Sequence, residues 1–148
     1  KENEVFVAHC PASNMNLSSG IAPVRKFIDN RIKTGLGTDI AGGHSISMFR
    51  AVTDAVQVSK LYYRLVDNTV KPLTFEEVFY LATKGGGEFF GKTGSFEEGY
   101  EFDAVVIDDG LYPLLEYMTV RKRAERVVYI DSEATGLEAK FVGGEKVV

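Results

Sequence analysis

The chain has 148 residues, of which 45% are hydrophobic and 26% charged, values typical of one ordinary globular domain or of a piece of a larger one. Its formal net charge of -4 gives no electrostatic footprint for nucleic acid, and no apolar run is long enough to span a membrane. The single cysteine, Cys10, has no internal disulfide partner, so we expect a reducing, cytoplasmic compartment.

The first predicted unit is a short strand followed by a helix. Residues 5–8 form an apolar run, and the strand stops at His9 because Pro11 cannot continue a central strand. Residues 12–20 are rich in serine and asparagine, which predicts a loop. Residues 21–28 then carry apolar side chains at helical spacing, which predicts a helix.

The second unit repeats this order and ends its strand on a carboxylate. Residues 33–38 are predicted as a strand, Asp39 and a glycine-rich turn follow, and residues 48–65 are predicted as a long amphipathic helix. Two consecutive βα units indicate a parallel α/β architecture. Barrel enzymes place catalytic groups in such loops after strands, and the helix begins too far downstream for Asp39 to cap it. We therefore predict that Asp39 is a functional residue.

A capping box opens the next helix. Thr74 is followed three residues later by Glu77, and the apolar spacing predicts a helix over residues 75–82. Three consecutive glycines at 85–87 are expected to end or loosen it.

The remainder of the chain is predicted to be richer in β-structure, with a change of composition near residue 93. Residues 112–117 are predicted as a loop or short helix and residues 120–129 as a basic amphipathic helix. Strands are predicted over residues 101–107, 137–142 and 146–148, the last two flanking a glycine-containing hairpin turn.

Three motifs carry a family resemblance. They are His9-Cys-Pro-Ala-Ser-Asn14, Gly35-Leu-Gly-Thr-Asp39 followed by Gly42-Gly43, and Leu81-Ala-Thr-Lys-Gly-Gly86. On these motifs the chain resembles the closing part of the amidohydrolase-superfamily deaminases, and among them the guanine deaminase family. The resemblance covers essentially the whole chain.

The resemblance implies an α/β fold made of the C-terminal portion of a (β/α)8 TIM barrel, its last two βα units, plus part of a small β-sandwich domain. Residues 1–92 would be the end of the metal-dependent hydrolase barrel, and residues 93–148 the C-terminal part of the small domain. The family's other metal ligands, histidines on earlier barrel strands, have no match in the sequence. We therefore expect these residues to be a piece of a longer enzyme and to be inactive alone.

The resemblance also implies a site. Asp39 would be the metal-binding aspartate of the eighth strand and would act in catalysis and substrate binding. His9 and Asn14 are candidates for substrate binding at the same rim, although a histidine at a strand end is also compatible with a packed structural residue. No metal role is expected for His44. Cys10 beside His9 is poorly placed as a nucleophile, because adjacent strand residues point to opposite faces.

The implied reaction is zinc-dependent hydrolytic deamination of guanine to xanthine and ammonia. One Zn²⁺ per subunit is expected, with Fe²⁺ as the alternative metal, and a small-molecule purine as substrate in a homodimeric enzyme without nucleic-acid or membrane partners. Two alternatives stay open at this point. One is a deaminase acting on another aminopurine, a nucleoside or a triazine, and the other is a non-catalytic scaffold relative.

Overall fold

A computed structural model of the protein describes residues 5–111, 117–131 and 133–148. Within these ranges, none of the helices combines the length and the apolar composition that a membrane crossing requires. The predicted segment at 112–117 lies outside the described residues except for Tyr117.

The first half of the chain is built around a parallel pair of strands. Strand β1 (Val7–His9) pairs with β2 (Thr34–Leu36), with Val7 opposite Thr34 and His9 opposite Leu36. Helices α1 (Pro11–Asn16) and α2 (Val24–Asp29) connect the two strands. Because the strands are parallel, their carboxyl ends lie side by side at one edge.

Helix α1 corrects the first part, residues 12–16, of the loop predicted over residues 12–20, while residues 17–20 lie outside any helix or strand. Pro11 occupies its first turn, where the fixed φ of proline suits a helix and the missing N–H leaves no bond unmade. The serine and asparagine content favours a loop, but Pro11 favours the start of a helix at this position. Helix α2 is shorter than predicted, because Pro23 lies outside it with a non-helical ψ of 58°.

Helix α3 (Met48–Leu65) has the predicted bounds and forms the centre of the core. Its N-cap is Ser47, whose side chain accepts a hydrogen bond from the Arg50 N–H, so Asp39 does not cap it. The capping box of Thr74 and Glu77 is confirmed at the start of α4 (Phe75–Ala82). The buried apolar side chains that pack together are Val24, Val52, Ala55, Val56, Leu73, Phe75, Val78, Leu81 and Val128.

The glycines at 85–87 do not simply end α4, because they form a short helix, α5 (Lys84–Gly87). A Cβ added at Gly35 of β2 would lie 2.9 Å from the Cα of Gly86 and 3.1 Å from the Phe6 ring. The absence of side chains at both glycines thus lets α5 approach the strand backbone.

The last part of the chain forms a small antiparallel sheet of β3 (Ala104–Ile107), β4 (Leu137–Val142) and β5 (Glu145–Lys146). The predicted hairpin of β4 and β5 is confirmed, and β3 begins later than predicted. Helix α6 (Val120–Ile130) precedes β4 and contributes Val128 to the core around α3. Where one domain ends and the next begins stays a prediction.

We predict that Gly35→Ala destabilises the protein by about 1–3 kcal/mol, since its Cβ would press on backbone rather than on a flexible side chain. The change in the free energy of unfolding is measured by urea unfolding of the full-length protein, which here means the longest natural chain that contains these residues. Gly110→Ala is the matched control, because its Cβ would meet only side-chain atoms, those of Asp108, with Oδ1 at 3.0 Å. Equal stabilities of the two variants would contradict the close approach of α5 to β2.

Candidate active site

The site forms where β1 and β2 end. The Gly37 N–H donates a 2.9 Å hydrogen bond to the His9 carbonyl, which extends the parallel ladder one step beyond β2. Asp39 follows two residues later with an exposed side chain. The position is the one predicted from sequence, a carboxylate at the carboxyl end of a strand and ahead of a long helix.

A tight turn holds Asp39. Asp39 and Ala41 have positive φ angles of 47° and 87°, a region that costs energy for residues with a Cβ, although aspartate tolerates it better than most. The Gly43 N–H donates a 2.5 Å hydrogen bond to the Asp39 carbonyl and closes the turn. The chain therefore keeps a strained conformation at the residue predicted to be functional.

A side chain at either glycine of the turn would displace its neighbours, which are side-chain atoms at Gly42 and backbone at Gly43. A Cβ at Gly42 would lie 2.6 Å from the Oδ2 of Asp39 and 2.7 Å from the Oγ of Ser13. A Cβ at Gly43 would lie 2.2 Å from the Thr38 carbonyl oxygen. The Asp39 carboxylate and the Ser13 hydroxyl thus both lie directly against the backbone of Gly42.

Helix α1 supplies the wall of the turn. The Nδ2 of Asn16 donates a 2.8 Å hydrogen bond to the Gly42 carbonyl, and the Ala12 Cβ lies 3.5 Å from where a Gly43 Cβ would be. Residues three and four apart share a helix face, which places Ala12, Ser13 and Asn16 on the side toward the turn. Asn16 is a site residue that the sequence reasoning missed. Asn16 could have been predicted from Pro11, which marks a helix start, because Asn16 lies four residues after Ala12 and three after Ser13.

Asn14, predicted as a substrate-binding residue, lies on α1 but off that face. It is half-buried, and its backbone N–H donates a 3.1 Å hydrogen bond to the Cys10 carbonyl. Within the described ranges its side chain makes no hydrogen bond to the turn. Its contact with a substrate stays a prediction.

His9 is the last residue of β1 and is only 4% exposed. Burial disfavours the charged imidazolium and lowers the pKa of His9 from 6.5 to about 4. Its Nδ1 atom is buried and finds no hydrogen-bond partner among the residues that the structure describes. His9 is therefore neutral at physiological pH, with one nitrogen unused by this part of the protein.

Cys10 does not form a nucleophilic pair with His9. Burial, and then the nearby Asp39 carboxylate, raise the pKa of the Cys10 thiol. A protonated thiol is a weak nucleophile, so the prediction from strand geometry agrees with the electrostatics. The Cys10 sulfur instead packs 3.0 Å from where a Gly37 Cβ would be.

The residues present can supply one ligand to a metal but not a complete site. The Asp39 carboxylate is exposed, and no hydrogen-bond donor or cation in the described ranges engages it. Catalytic zinc sites use three protein ligands and an open position. No group of three histidine, cysteine, aspartate or glutamate residues that could hold a metal occurs in the described part of the chain. His44 is exposed and belongs to no such group.

We predict that His9 makes stability depend on pH. Between pH 6.5 and about 4 the unfolded chain binds a proton at this residue and the folded chain does not. Stability is therefore fully present above pH 6.5 and falls by roughly 3 kcal/mol as the pH drops to about 4. The measurement is the urea midpoint of the full-length protein across this range, for wild type and His9→Gln.

The exposed His44 gives the matched control. His9→Gln should flatten the pH dependence of the wild type, and His44→Gln controls for the loss of a histidine elsewhere in the chain. Parallel curves for wild type and His9→Gln would show that the imidazole is solvated in the folded protein.

Comparisons with known proteins agree with the motifs. The Amidohydrolase family matches residues 1–145. Guanine deaminase of Mus musculus is 41% identical over 160 residues, which cover 99% of this chain and 34% of the relative. The chain thus spans about a third of the length of this relative.

Solved structures are similar over the same extent. A guanine deaminase from C. acetobutylicum with bound guanine superposes with a TM-score of 0.91 at 43% identity, over 99% of this chain and 35% of that one. The E. coli guanine deaminase superposes with a TM-score of 0.82 at 29% identity, over 99% of this chain and 35% of that one. The resemblance predicted from sequence is confirmed, and the chain belongs to the amidohydrolase family.

Proposed function

We propose that this chain is the closing third of a guanine deaminase, which hydrolyses guanine to xanthine and ammonia with a bound metal ion. The observation that carries the proposal is the exposed Asp39 carboxylate at the end of a parallel strand, in a chain 43% identical to a guanine-bound deaminase. The part of the enzyme outside these residues supplies the rest of the site.

The proposed architecture is the end of a (β/α)8 barrel over residues 1–92 and part of a small β-sandwich domain over residues 93–148. Within the described residues β1 pairs only with β2, so each strand has one open edge. Parallel strands in barrels have neighbours on both sides and helices outside. The proposal assigns those edges to further parallel strands of the same enzyme. We expect these residues alone to aggregate or to need the rest of the chain.

Asp39 is proposed as the one metal ligand that this chain contributes, with zinc as the ion and Fe²⁺ as the alternative. Its exposed, unpaired carboxylate supports that role. A zinc ion in such a site lowers the pKa of a bound water toward neutrality. The other ligands belong to parts of the enzyme that these residues do not include.

The chemistry proposed for Asp39 is proton transfer. As the water oxygen bonds to the amino-bearing carbon of guanine, Asp39 accepts one proton of the water. One proton of the water passes to the amine and the other to the adjacent ring nitrogen, so the carbon–nitrogen bond breaks, ammonia leaves and xanthine is formed with its new carbonyl group. A general base must lie within hydrogen-bond reach of the proton it takes, and the turn that packs the carboxylate against Gly42 limits where its oxygens can go.

His9 and Asn14 are proposed to line the purine pocket. His9 is neutral because its pKa is about 4, so its unpartnered Nδ1 atom is available for one hydrogen bond, as donor or as acceptor. The homodimer, the cytoplasmic compartment and the absence of nucleic-acid and membrane partners stay predictions. The net charge of -4 supports a small-molecule substrate over nucleic acid.

The experiment that tests the function is ammonia release from guanine by the full-length protein. We expect turnover that stops when a chelator removes the metal and returns when Zn²⁺ is added. Release of ammonia from adenosine-type nucleosides or triazines but not from guanine would refute the substrate. No turnover on any amine and no bound metal would refute the deaminase.

We predict that Asp39→Asn lowers kcat for guanine at least about a hundredfold, because it removes the base while nearly keeping the shape. Steady-state kinetics on the full-length protein measures the loss. Asp29→Asn is the matched control, since that carboxylate is 61% exposed at the end of α2 and should leave kcat unchanged. A wild-type rate in Asp39→Asn would remove Asp39 from the mechanism.

A further inference from the structure

The turn that carries Asp39 needs an external anchor. Asp39 and Ala41 both have positive φ, and such conformations persist only where the surroundings hold them. Inside the turn, the bond from the Gly43 N–H to the Asp39 carbonyl fixes the two ends relative to each other. It does not fix the turn relative to the strands.

Asn16 provides a bond from outside the turn. Its Nδ2 donates to the Gly42 carbonyl at 2.8 Å and joins two residues that are 26 positions apart. Asn16 is the last residue of α1, and α1 begins directly after β1. The bond therefore ties the turn after β2 to the helix that follows the neighbouring strand.

Gly42 transmits this restraint to the carboxylate. The Oδ2 of Asp39 lies 2.6 Å from the point where a Gly42 Cβ would be, and the Ser13 Oγ lies 2.7 Å from the same point. A shift of Gly42 changes the surface against which the carboxylate packs. The hydrogen bond from Asn16 opposes such a shift, because it holds the Gly42 carbonyl.

We propose that Asn16 is a positioning residue, which holds the Asp39 carboxylate in its working orientation by anchoring the Gly42 carbonyl. The inference rests on the proposed function, in which Asp39 is the reacting base. Asn16 itself is exposed, and its side-chain amide acts on the reaction only through Gly42 and Asp39.

The chain offers a matched control for Asn16. Asn30 is also exposed and lies at a helix end, directly after α2, and its Nδ2 donates a 2.7 Å hydrogen bond to the Lys26 carbonyl. The same substitution at both positions removes the same kind of bond, once beside the turn and once away from it. Alanine favours helices more than asparagine does, so lower helix propensity cannot explain a loss in Asn16→Ala.

The kinetic test compares Asn16→Ala, Asn16→Gln and Asn30→Ala in the full-length protein with guanine. Misplacement of a reacting group by about 1 Å can cost up to about 100-fold, so we expect kcat of Asn16→Ala to fall about 10- to 100-fold. The KM for guanine and the melting temperature should stay close to wild type. Asn16→Gln keeps the amide donor and should recover part of kcat, and Asn30→Ala should match wild type.

A kcat of Asn16→Ala within twofold of wild type would overturn the proposal. So would a loss that appears equally in Asn30→Ala, or one that comes with a large fall in melting temperature, because both would indicate a general structural role. A rise in KM with unchanged kcat would instead make Asn16 a binding residue.

A crystal structure of full-length Asn16→Ala tests the proposal without reference to activity. We expect the Gly42 carbonyl and the Asp39 carboxylate to move relative to β2. An unmoved carboxylate overturns the positioning role even if Asp39 is essential. Conversely, a moved carboxylate in an enzyme that tolerates Asp39→Asn would uphold the anchor and reject the proposed function.

Discussion

The packing against Gly42 is the constraint on which the candidate site depends. A Cβ there would lie 2.6 Å from the Asp39 carboxylate and 2.7 Å from the Ser13 hydroxyl, so a side chain at this position would displace one of them. In the turn that brings this carboxylate back over its own backbone, Asp39 and Ala41 have positive φ. The parallel pairing of β1 and β2 then matters because it sets α1 beside the turn, where Asn16 can hold it.

The burial of His9 and Cys10 determines the electrostatic surroundings of Asp39. His9 is kept neutral because its buried imidazole resists protonation, and the Cys10 thiol is kept protonated by burial and by Asp39 itself. Neither neighbour adds a charge at the end of the strands, and within the described ranges no cation pairs with Asp39. We propose that this exposed carboxylate binds the metal and accepts a proton from the attacking water.

Local signals were read correctly from the sequence. The bounds of α3 and the capping box of Thr74 and Glu77 were predicted because neighbouring residues determine them. Helix α1 was missed because its polar composition hid the effect of Pro11, and Asn16 was missed with it. The glycines at 85–87 were read as a helix end, since their close approach to β2 involves residues about 50 positions away. Asp39 was predicted to be functional because a strand, a carboxylate and a glycine turn follow one another directly, and that role stays a prediction.

The most direct test of the central claim is a crystal structure of the full-length protein with its metal and a slowly hydrolysed guanine analogue. If Asp39 is the base, we expect one of its carboxylate oxygens within about 3.2 Å of the water that faces the amino-bearing carbon. We also expect the turn from Asp39 to Gly43 to keep its conformation. A carboxylate turned away from that water, or an analogue bound at another edge of the strands, would contradict it.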